Sequence, residues 1–541
     1  MRLLVSTLAL FLLPAAPAAA DTYEVGPGKP YASLQSVEPL LDPGDVALVY
    51  GGATYPGGVV LDRPGTAAQP IVIRGVRVGG ARPHIAGGSN TIEVRANHHV
   101  LEGLEITGGS ARCLYHHAHN VVARDLVIHG CPKQGLLGAD DDSGSLTLEH
   151  SEIYDCGGGT FDHCIYMATD EATYPGSVFR MQFNYVHSAN GGNAVKSRAQ
   201  RNEIYFNWIE GALYHELELI GPDPAGGNAL PGVREDSDVV GNVLRKVNTF
   251  SVVRFGGDGT GASEGRYRFA FNTVLTRPGG GAVFRLFHEL ESVAMHGNVF
   301  HSVGGGSVNL LREVEAIWVT GSRVVGGDRN WVTTGSQNVP PEWTGTVAGT
   351  DPGFAGLAAL DLRPAAGAPI RNAGPAAAVS PVAPVWTPPQ HVLLTQPIAR
   401  PADGALDMGA FEYGTPSSPG AGPGGGGGGA QDRSAPRATR VRILRTRRGL
   451  VLRFRLSEAA RFSGSVRRGG RRVKRLKARQ LAAGVRRVRL GRLHRGRYRV
   501  RFKLTDVAGN SASKSRRFRA ADRTLAIGVR YTDPRRQSSA G

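Results

Sequence analysis

Between about Val100 and Leu311 one short phrase keeps returning: an Asn or small polar residue, then alternating apolar residues. It reads Asn184-Tyr-Val, Asn207-Trp-Ile, Asn242-Val-Leu, Asn272-Thr-Val and Asn298-Val-Phe, with Asp125-Leu-Val and Ser151-Glu-Ile as earlier, degenerate copies. Successive copies lie 26, 33, 23, 35, 30 and 26 residues apart. Each is followed by a turn rich in Gly, Asn and Ser and then by a second alternating run, such as Ala194-Val195-Lys196-Ser197 or Val252-Val253-Arg254-Phe255. Strands this short cannot bury an apolar face alone, so each unit must stack on the next, as in a coil. A polar residue recurring where the core begins fits Asn side chains that hydrogen-bond from coil to coil. A propeller or a sandwich array would need longer hairpin-forming repeats. Residues 21–413 are therefore expected to form a right-handed parallel β-helix.

A solenoid must hide its apolar ends. At the front, Tyr31 to Leu41 has helical spacing and predicts a helical cap, followed by Pro43-Gly44-Asp45 and an apolar strand. The phrase LDPGDVALVYGGATYPGGVVL, starting at Leu41, resembles the capped entry of pectate-lyase-like β-helices. At the back, Asp361-Leu-Arg-Pro and the run from Asp407 to Tyr413 resemble the closing segment common to secreted bacterial β-helix proteins.

Alternate side chains of a strand face opposite ways. In the second run of each coil this sends Ile165, Val195, Leu217, Val253 and Phe284 inward and Tyr166, Lys196, Glu218, Arg254 and Arg285 outward. The outward five fall at similar distances from their polar anchors, so they are expected to form one ladder with steps of about 4.8 Å. Arg198, two residues beyond Lys196, is expected on the same side, and the Asp162-His163 pair at the mouth of the Tyr166 strand is expected either to line the same groove or to close the turn between Cys156 and Cys164. Such a face suits a polyanionic sugar chain.

Lyase chemistry on a uronate polymer needs a cation for the sugar carboxylate, a base for the proton beside it and an acid for the leaving oxygen. Arg254 or Arg198 can supply the first by bidentate pairing. Lys196 can be the base, because neighbouring guanidiniums disfavour its charged form, and Tyr166 can donate the proton. Glu218 would oppose that shift if ionised beside Lys196, so it is assigned to substrate binding, to calcium or to an arginine partner. The stretch Asn193-Ala-Val-Lys-Ser-Arg-Ala199, with Asn202-Glu-Ile and Asn207-Trp-Ile following, resembles the segment around the catalytic lysine of the alginate lyase and chondroitinase B family. The resemblance implies Lys196 as Brønsted base in a β-elimination. The family carries calcium-holding acids before that lysine, where this chain has Ala189-Asn190-Gly191-Gly192, and an arginine one coil later, where it has Tyr214-His215-Glu216. No cofactor is demanded by the pattern, and calcium is the one that the resemblance admits.

Other readings compete. An outward charged ladder can be a solvated face, which leaves a non-catalytic polysaccharide-binding or cell-surface protein as the alternative. His116, His117 and His119 cluster in an early turn and could ligate a metal, but without a carboxylate partner such a loop cluster is expected simply to be exposed. Asp140-Asp141-Asp142 is reminiscent of the paired carboxylates of pectin-type glycoside hydrolases, but no Gly-His-Gly follows; hydrolysis or uronate epimerisation ranks behind elimination.

Residues 1–20 combine a basic Arg2, an apolar run from Leu3 to Leu13 and Ala18-Ala19-Ala20, the pattern of a secretory signal. Outside the cytosol disulfides persist, so Cys113, Cys131, Cys156 and Cys164 are read as structural pairs of undetermined connectivity rather than as nucleophiles or zinc ligands. Formal charge divides sharply. Residues 1–430 hold 28 Lys+Arg against 40 Asp+Glu, whereas residues 431–541 hold 35 against 5. A Gly/Pro-rich linker, 414–432, separates them, and alternating strands over 433–521 resemble a bacterial immunoglobulin-like β-sandwich, with 522–541 as a tail. That basic module predicts attraction to cell-wall or other acidic polymers, without the interleaved aromatics of a specific nucleic-acid reader. The protein is expected to be a secreted monomer acting on an anionic polysaccharide.

Overall fold

In a computed structural model of the chain, the described residues are 20–222, 230, 232–257, 263–314, 317–319, 321–376, 400–401, 403–415, 437–446, 449–456, 460–469, 471–481, 484–491, 493–505 and 511–520. They belong to two compact units, within 1–425 and 426–541. Residues 1–19 of the segment expected to be a secretory signal, nearly all of the linker, residues 506–510 and the tail lie outside the described residues. Among the described residues no helix is long and apolar enough to cross a membrane.

The first unit is a right-handed parallel β-helix of three parallel sheets, with 12, 12 and 10 described strands. One coil shows the plan: Val178–Gln182 in the first sheet, Tyr185–His187 in the second and Val195–Arg198 in the third. The next coil repeats it one strand over, Phe179 beside Asn202, Tyr185 beside Trp208, and Lys196 beside Glu218. Side chains alternate, and the inward set from Val25 to Trp343 forms one continuous apolar core.

The recurring Asn sits at the bend between the first and second sheets. Asn184, Asn207, Asn242, Asn272 and Asn298 are fully buried. The backbone N–H of each donates to the carboxamide oxygen of the next, from Asn184 to Asn207 at 3.0 Å through Asn272 to Asn298 at 2.9 Å. The stack runs one coil further than the sequence reading, to Asn330. The residue before each anchor is left-handed, including Phe183, Phe206 and Phe271 at φ of 58°, 54° and 53°. This conformation costs a bulky side chain energy; the buried carboxamide bonds over-determine the bend, and Phe183 and Phe206 stack with centroids 5.2 Å apart.

That geometry corrects the earliest copy. Asp125 occupies the left-handed position, at φ 51°, and its carboxylate pairs outside with Arg82. The anchor is Leu126, whose N–H donates to Ser151 Oγ at 3.0 Å. The stack predicts its own fragility. Asn242 Nδ2 donates to the carbonyls of Ile204 and Val240 and to Asn272 Oδ1, while its Oδ1 accepts two bonds from Asn207. Each buried polar group left unpaired costs about 1–3 kcal/mol, so Asn242→Ala should destabilise the β-helix by about 3 kcal/mol or more in denaturant titration. A loss no larger than that of an ordinary surface substitution, about 0.5 kcal/mol, would refute the anchoring role.

The ends depart from expectation in two ways. Tyr31 to Leu41 is not a continuous helix but two short 3-10 turns, Leu34–Ser36 and Glu38–Leu40, because Pro39 lacks an N–H to donate. The helical spacing still works, since Leu34, Val37 and Leu41 are buried against the first coils. The segment around Asp407 to Tyr413 lies along the flank instead. Gly409 N donates to the Gly297 carbonyl and Ala410 N to Thr273 Oγ1. With Leu362, Ala368 and Ile370, this segment covers Trp208, Val243, Leu275, Val299 and Trp331, which face outward from the second sheet.

A disulfide joins Cys113 and Cys131, with Cα atoms 5.9 Å apart. Cys156 and Cys164 are buried thiols rather than a second bridge. The second unit has seven described strands in two antiparallel sheets, of three and four strands. They share a core that includes Leu452, Phe454, Phe462, Val500 and Phe502.

Candidate functional site

The third sheet carries the expected ladder. Its register sets Tyr166 beside Lys196, Lys196 beside Glu218, Glu218 beside Arg254 and Arg254 beside Arg285. Arg312, a residue missed by the sequence reading, forms the next rung beside Arg285. Ile165, Val195, Leu217, Val253 and Phe284 point inward and are fully buried.

Contacts along the ladder are specific. Lys196 Nζ lies 5.0 Å above the centre of the Tyr166 ring. Arg254 Nη1 donates to Glu218 Oε1 at 2.9 Å and Nη2 to the Gly257 carbonyl at 3.0 Å, while the guanidinium lies 4.1 Å over Phe287. Arg285 also faces Phe287, at 4.8 Å. Burial, followed by repulsion from Arg254 and Arg312, holds the Arg285 pKa below its usual range. Past the last rung a groove of about 640 Å³ is bounded by Asn309, Arg312, Glu313, Arg323 and Asn338.

Arg198 closes the strand that carries Lys196, two residues on. It is buried, and its Nη1 donates to the Gly221 carbonyl one coil on, at 2.7 Å. A side chain at the strand's end reaches the next turn's backbone, which strand alternation does not register. Asp162 closes its own turn, accepting from Gly158 N at 3.2 Å.

Beneath the ladder lies a polar hub. Asn193 donates from its backbone N–H to His163 Nδ1 at 2.9 Å and from Nδ2 to Glu218 Oε2. Its Oδ1 accepts from His215 N at 2.9 Å and lies 3.3 Å from His215 Nδ1. Both imidazoles are almost fully buried. Burial, with Lys196 and Arg198 adding repulsion, pushes the His163 pKa down to about 3, so the ring is neutral. Because Nδ1 accepts from Asn193, the proton sits on Nε2. His215 is lowered for the same first reason, then by Arg285 and Arg254. The sequence held a signal for this hub: His163, Asn193 and His215 each stand three residues before an outward rung.

The remaining candidates fall elsewhere. His116 is buried, with its pKa lowered by burial to about 4, and His119 stacks on Tyr174 at 4.7 Å. Asp140 to Asp142 follow the strand Gln134–Gly138, in the turn leading off the ladder face. Calcium does not fit the ladder. It takes about six to eight oxygens, and the rungs from Tyr166 to Arg312 offer one carboxylate, Glu218, already bonded to Arg254 and Asn193. Among the described residues, the grouping of three acidic or imidazole ligands is Asp403, Asp407 and Glu412 on the flank. It is occupied by Arg400, 2.5 Å from Glu412, and by Arg371, 2.7 Å from Asp403.

No protein-family model matches the sequence, and no curated relative does. Among solved structures, pectate lyase Pel9A aligns at 14% identity and a TM-score of 0.43, over 73% of this chain and 97% of its own. An alginate lyase from Paenibacillus sp. aligns at 19% and 0.35, over 57% and 98%. A PL6 family polysaccharide lyase from Pseudopedobacter saltans aligns at 11% and 0.37, over 57% and 87%. Likeness at this level concerns the fold, and the reaction is argued from the residues.

Proposed function

We propose that the outward face of the third sheet binds a uronic-acid-containing polysaccharide and cleaves it by β-elimination, in an exported protein. One observation carries this reading: Tyr166, Lys196, Glu218, Arg254, Arg285 and Arg312 occupy successive rungs of one face. Cations on adjacent rungs repel one another unless an anion lies across them, and Glu218 is the single carboxylate among these six. A polymer with one carboxylate per sugar supplies such anions in series.

In this reading Arg254, fixed by Glu218 and Phe287, and Arg285 clamp the carboxylate of the reacting sugar. The Lys196 amine removes the proton from the carbon beside that carboxylate. The electron pair forms a carbon–carbon double bond as the glycosidic bond to the leaving oxygen breaks, and the Tyr166 phenol returns a proton to that oxygen. Neutral His163 and His215 hold Asn193, and through it Glu218, without adding charge beneath the ladder.

A binding-only role is the second reading, and the rung next to Lys196 favours it: an ionised Glu218 there opposes deprotonation of the amine. The mature protein incubated separately with alginate, pectate and glycosaminoglycans distinguishes the two. Elimination produces ultraviolet-absorbing unsaturated ends on at least one polymer. Capture of a polymer with no rise in absorbance would decide for binding.

A further inference from the structure

The second unit carries a cationic surface of its own. Its four-stranded sheet runs in the order Arg471–Leu481, Ala460–Arg468, Gly496–Thr505, Ser511–Ala520. Along Gly496–Thr505 the residues Tyr498, Val500, Phe502 and Leu504 are buried, which turns Arg497, Arg499, Arg501 and Lys503 outward. The register continues this across the sheet. Arg472, Arg467, Arg499 and Arg517 stand side by side in one row, and Arg475, Ser465, Arg501 and Ser515 in the next. Between residues 433 and 520 the only acids are Glu458 and Asp506, and neither falls within these strands.

Like charges directly opposite across strands destabilise a sheet. An anion lying across Arg499 and Arg517 relieves that repulsion. Side chains rooted about 4.8 Å apart across strands and about 6.8 Å apart along them form a lattice that a chain with regularly spaced acids can follow. Arginine pairs such groups bidentately, where lysine offers a point charge. A groove of about 710 Å³ follows this lattice, lined by Arg467, Arg499, Arg501, Arg517, Arg519 and Phe518. The groove aromatics are not a platform for bases: Tyr498 is buried and stacks on Phe518, with centroids 5.7 Å apart.

We propose that this outer sheet face docks a linear acidic polysaccharide, holding the polymer while the β-helix acts. It invokes the polymer class proposed above but none of the same residues. The two readings therefore fail separately: the loss of binding on replacing Arg499, Arg501 and Arg517 should be the same with Lys196 present or replaced by alanine.

The test uses the full chain with alginate and pectate as probes, at near-physiological salt. The triple variant Arg499→Ser/Arg501→Ser/Arg517→Ser should weaken binding about ten-fold or more and flatten its salt dependence. The control Arg442→Ser/Arg453→Ser/Arg487→Ser removes the same charge from a cross-strand row of the three-stranded sheet and should change binding less than about three-fold. A charge-preserving triple, Arg499→Lys/Arg501→Lys/Arg517→Lys, guards against misfolding and should still bind several-fold more weakly. Equal losses in the two serine variants, or no loss in the lysine variant, would overturn the site in favour of diffuse charge. Equal or tighter binding of duplex DNA with the same dependence on Arg499, Arg501 and Arg517 would overturn the choice of polysaccharide, and failure to hold either probe would overturn the proposal.

Discussion

Lys196→Ala should lower turnover on the responsive polymer by about 10²–10⁴-fold, the range that a positioned proton-transfer group supplies, while the affinity for uncleaved polymer changes only a few-fold. The reason is positional. Lys196 stands between Tyr166 and Glu218 on the ladder, whereas the clamp, Arg254 and Arg285, lies on the following rungs. Removing the amine should therefore take away proton abstraction and leave the carboxylate contacts. Lys196→Arg keeps the charge but cannot give up a proton near neutral pH, so it should be as inactive as the alanine variant. Initial rates and equilibrium binding on one preparation separate the two effects. A variant that loses binding and turnover in equal measure would recast Lys196 as a binding residue.

Above about pH 8, where Glu216 is ionised beside Lys246, Lys246→Met should destabilise the β-helix by about 3–5 kcal/mol, the usual cost of removing one partner of a buried ion pair. Lys246 Nζ lies 2.9 Å from Glu216 Oε2, and both side chains are essentially inaccessible to solvent. The amine also donates to the Tyr214 and Ala212 carbonyls, pinning the turn that delivers His215 to Asn193. Burial pushes the Glu216 carboxyl up to about 8 against the pull of Lys246. A folded-state value above the unfolded one gives stability that is complete below about pH 4.5 and is lost as pH rises to about 8. Without Lys246 the value rises further, so thermal unfolding of the variant should keep worsening above pH 8, where this group's effect on the wild type has ended. Parallel curves for the two proteins above pH 8 would rule out the coupling.

The β-helix was legible because two periods, residue alternation and coil length, were both written in the chain. Together they put Tyr166, Lys196, Glu218, Arg254 and Arg285 on one face. Three kinds of information were hidden. Backbone conformation was one: Asp125 looks like an anchor because it is polar, yet it fills the left-handed position and apolar Leu126 takes the anchor site. Capture by distant backbone was another, as with Arg198 and the Gly221 carbonyl. The third was a segment distant in sequence. Outward Trp208 and Trp331 contradict simple alternation until the chain around Asp407 to Tyr413 covers them. The polar hub at Asn193 lay between these extremes, with its spacing visible and its hydrogen bonds not.

Bond breaking by elimination on the ladder face is tested most directly by the mass of the fragments that the full chain releases from a defined uronate oligomer. Elimination predicts fragment pairs whose masses sum to that of the intact oligomer, with the new end one water lighter than a hydrolysed end, and none of these from Lys196→Ala. Fragment pairs heavier by one water would establish hydrolysis, and an oligomer recovered intact although bound would establish a binding protein; either result contradicts the proposed chemistry.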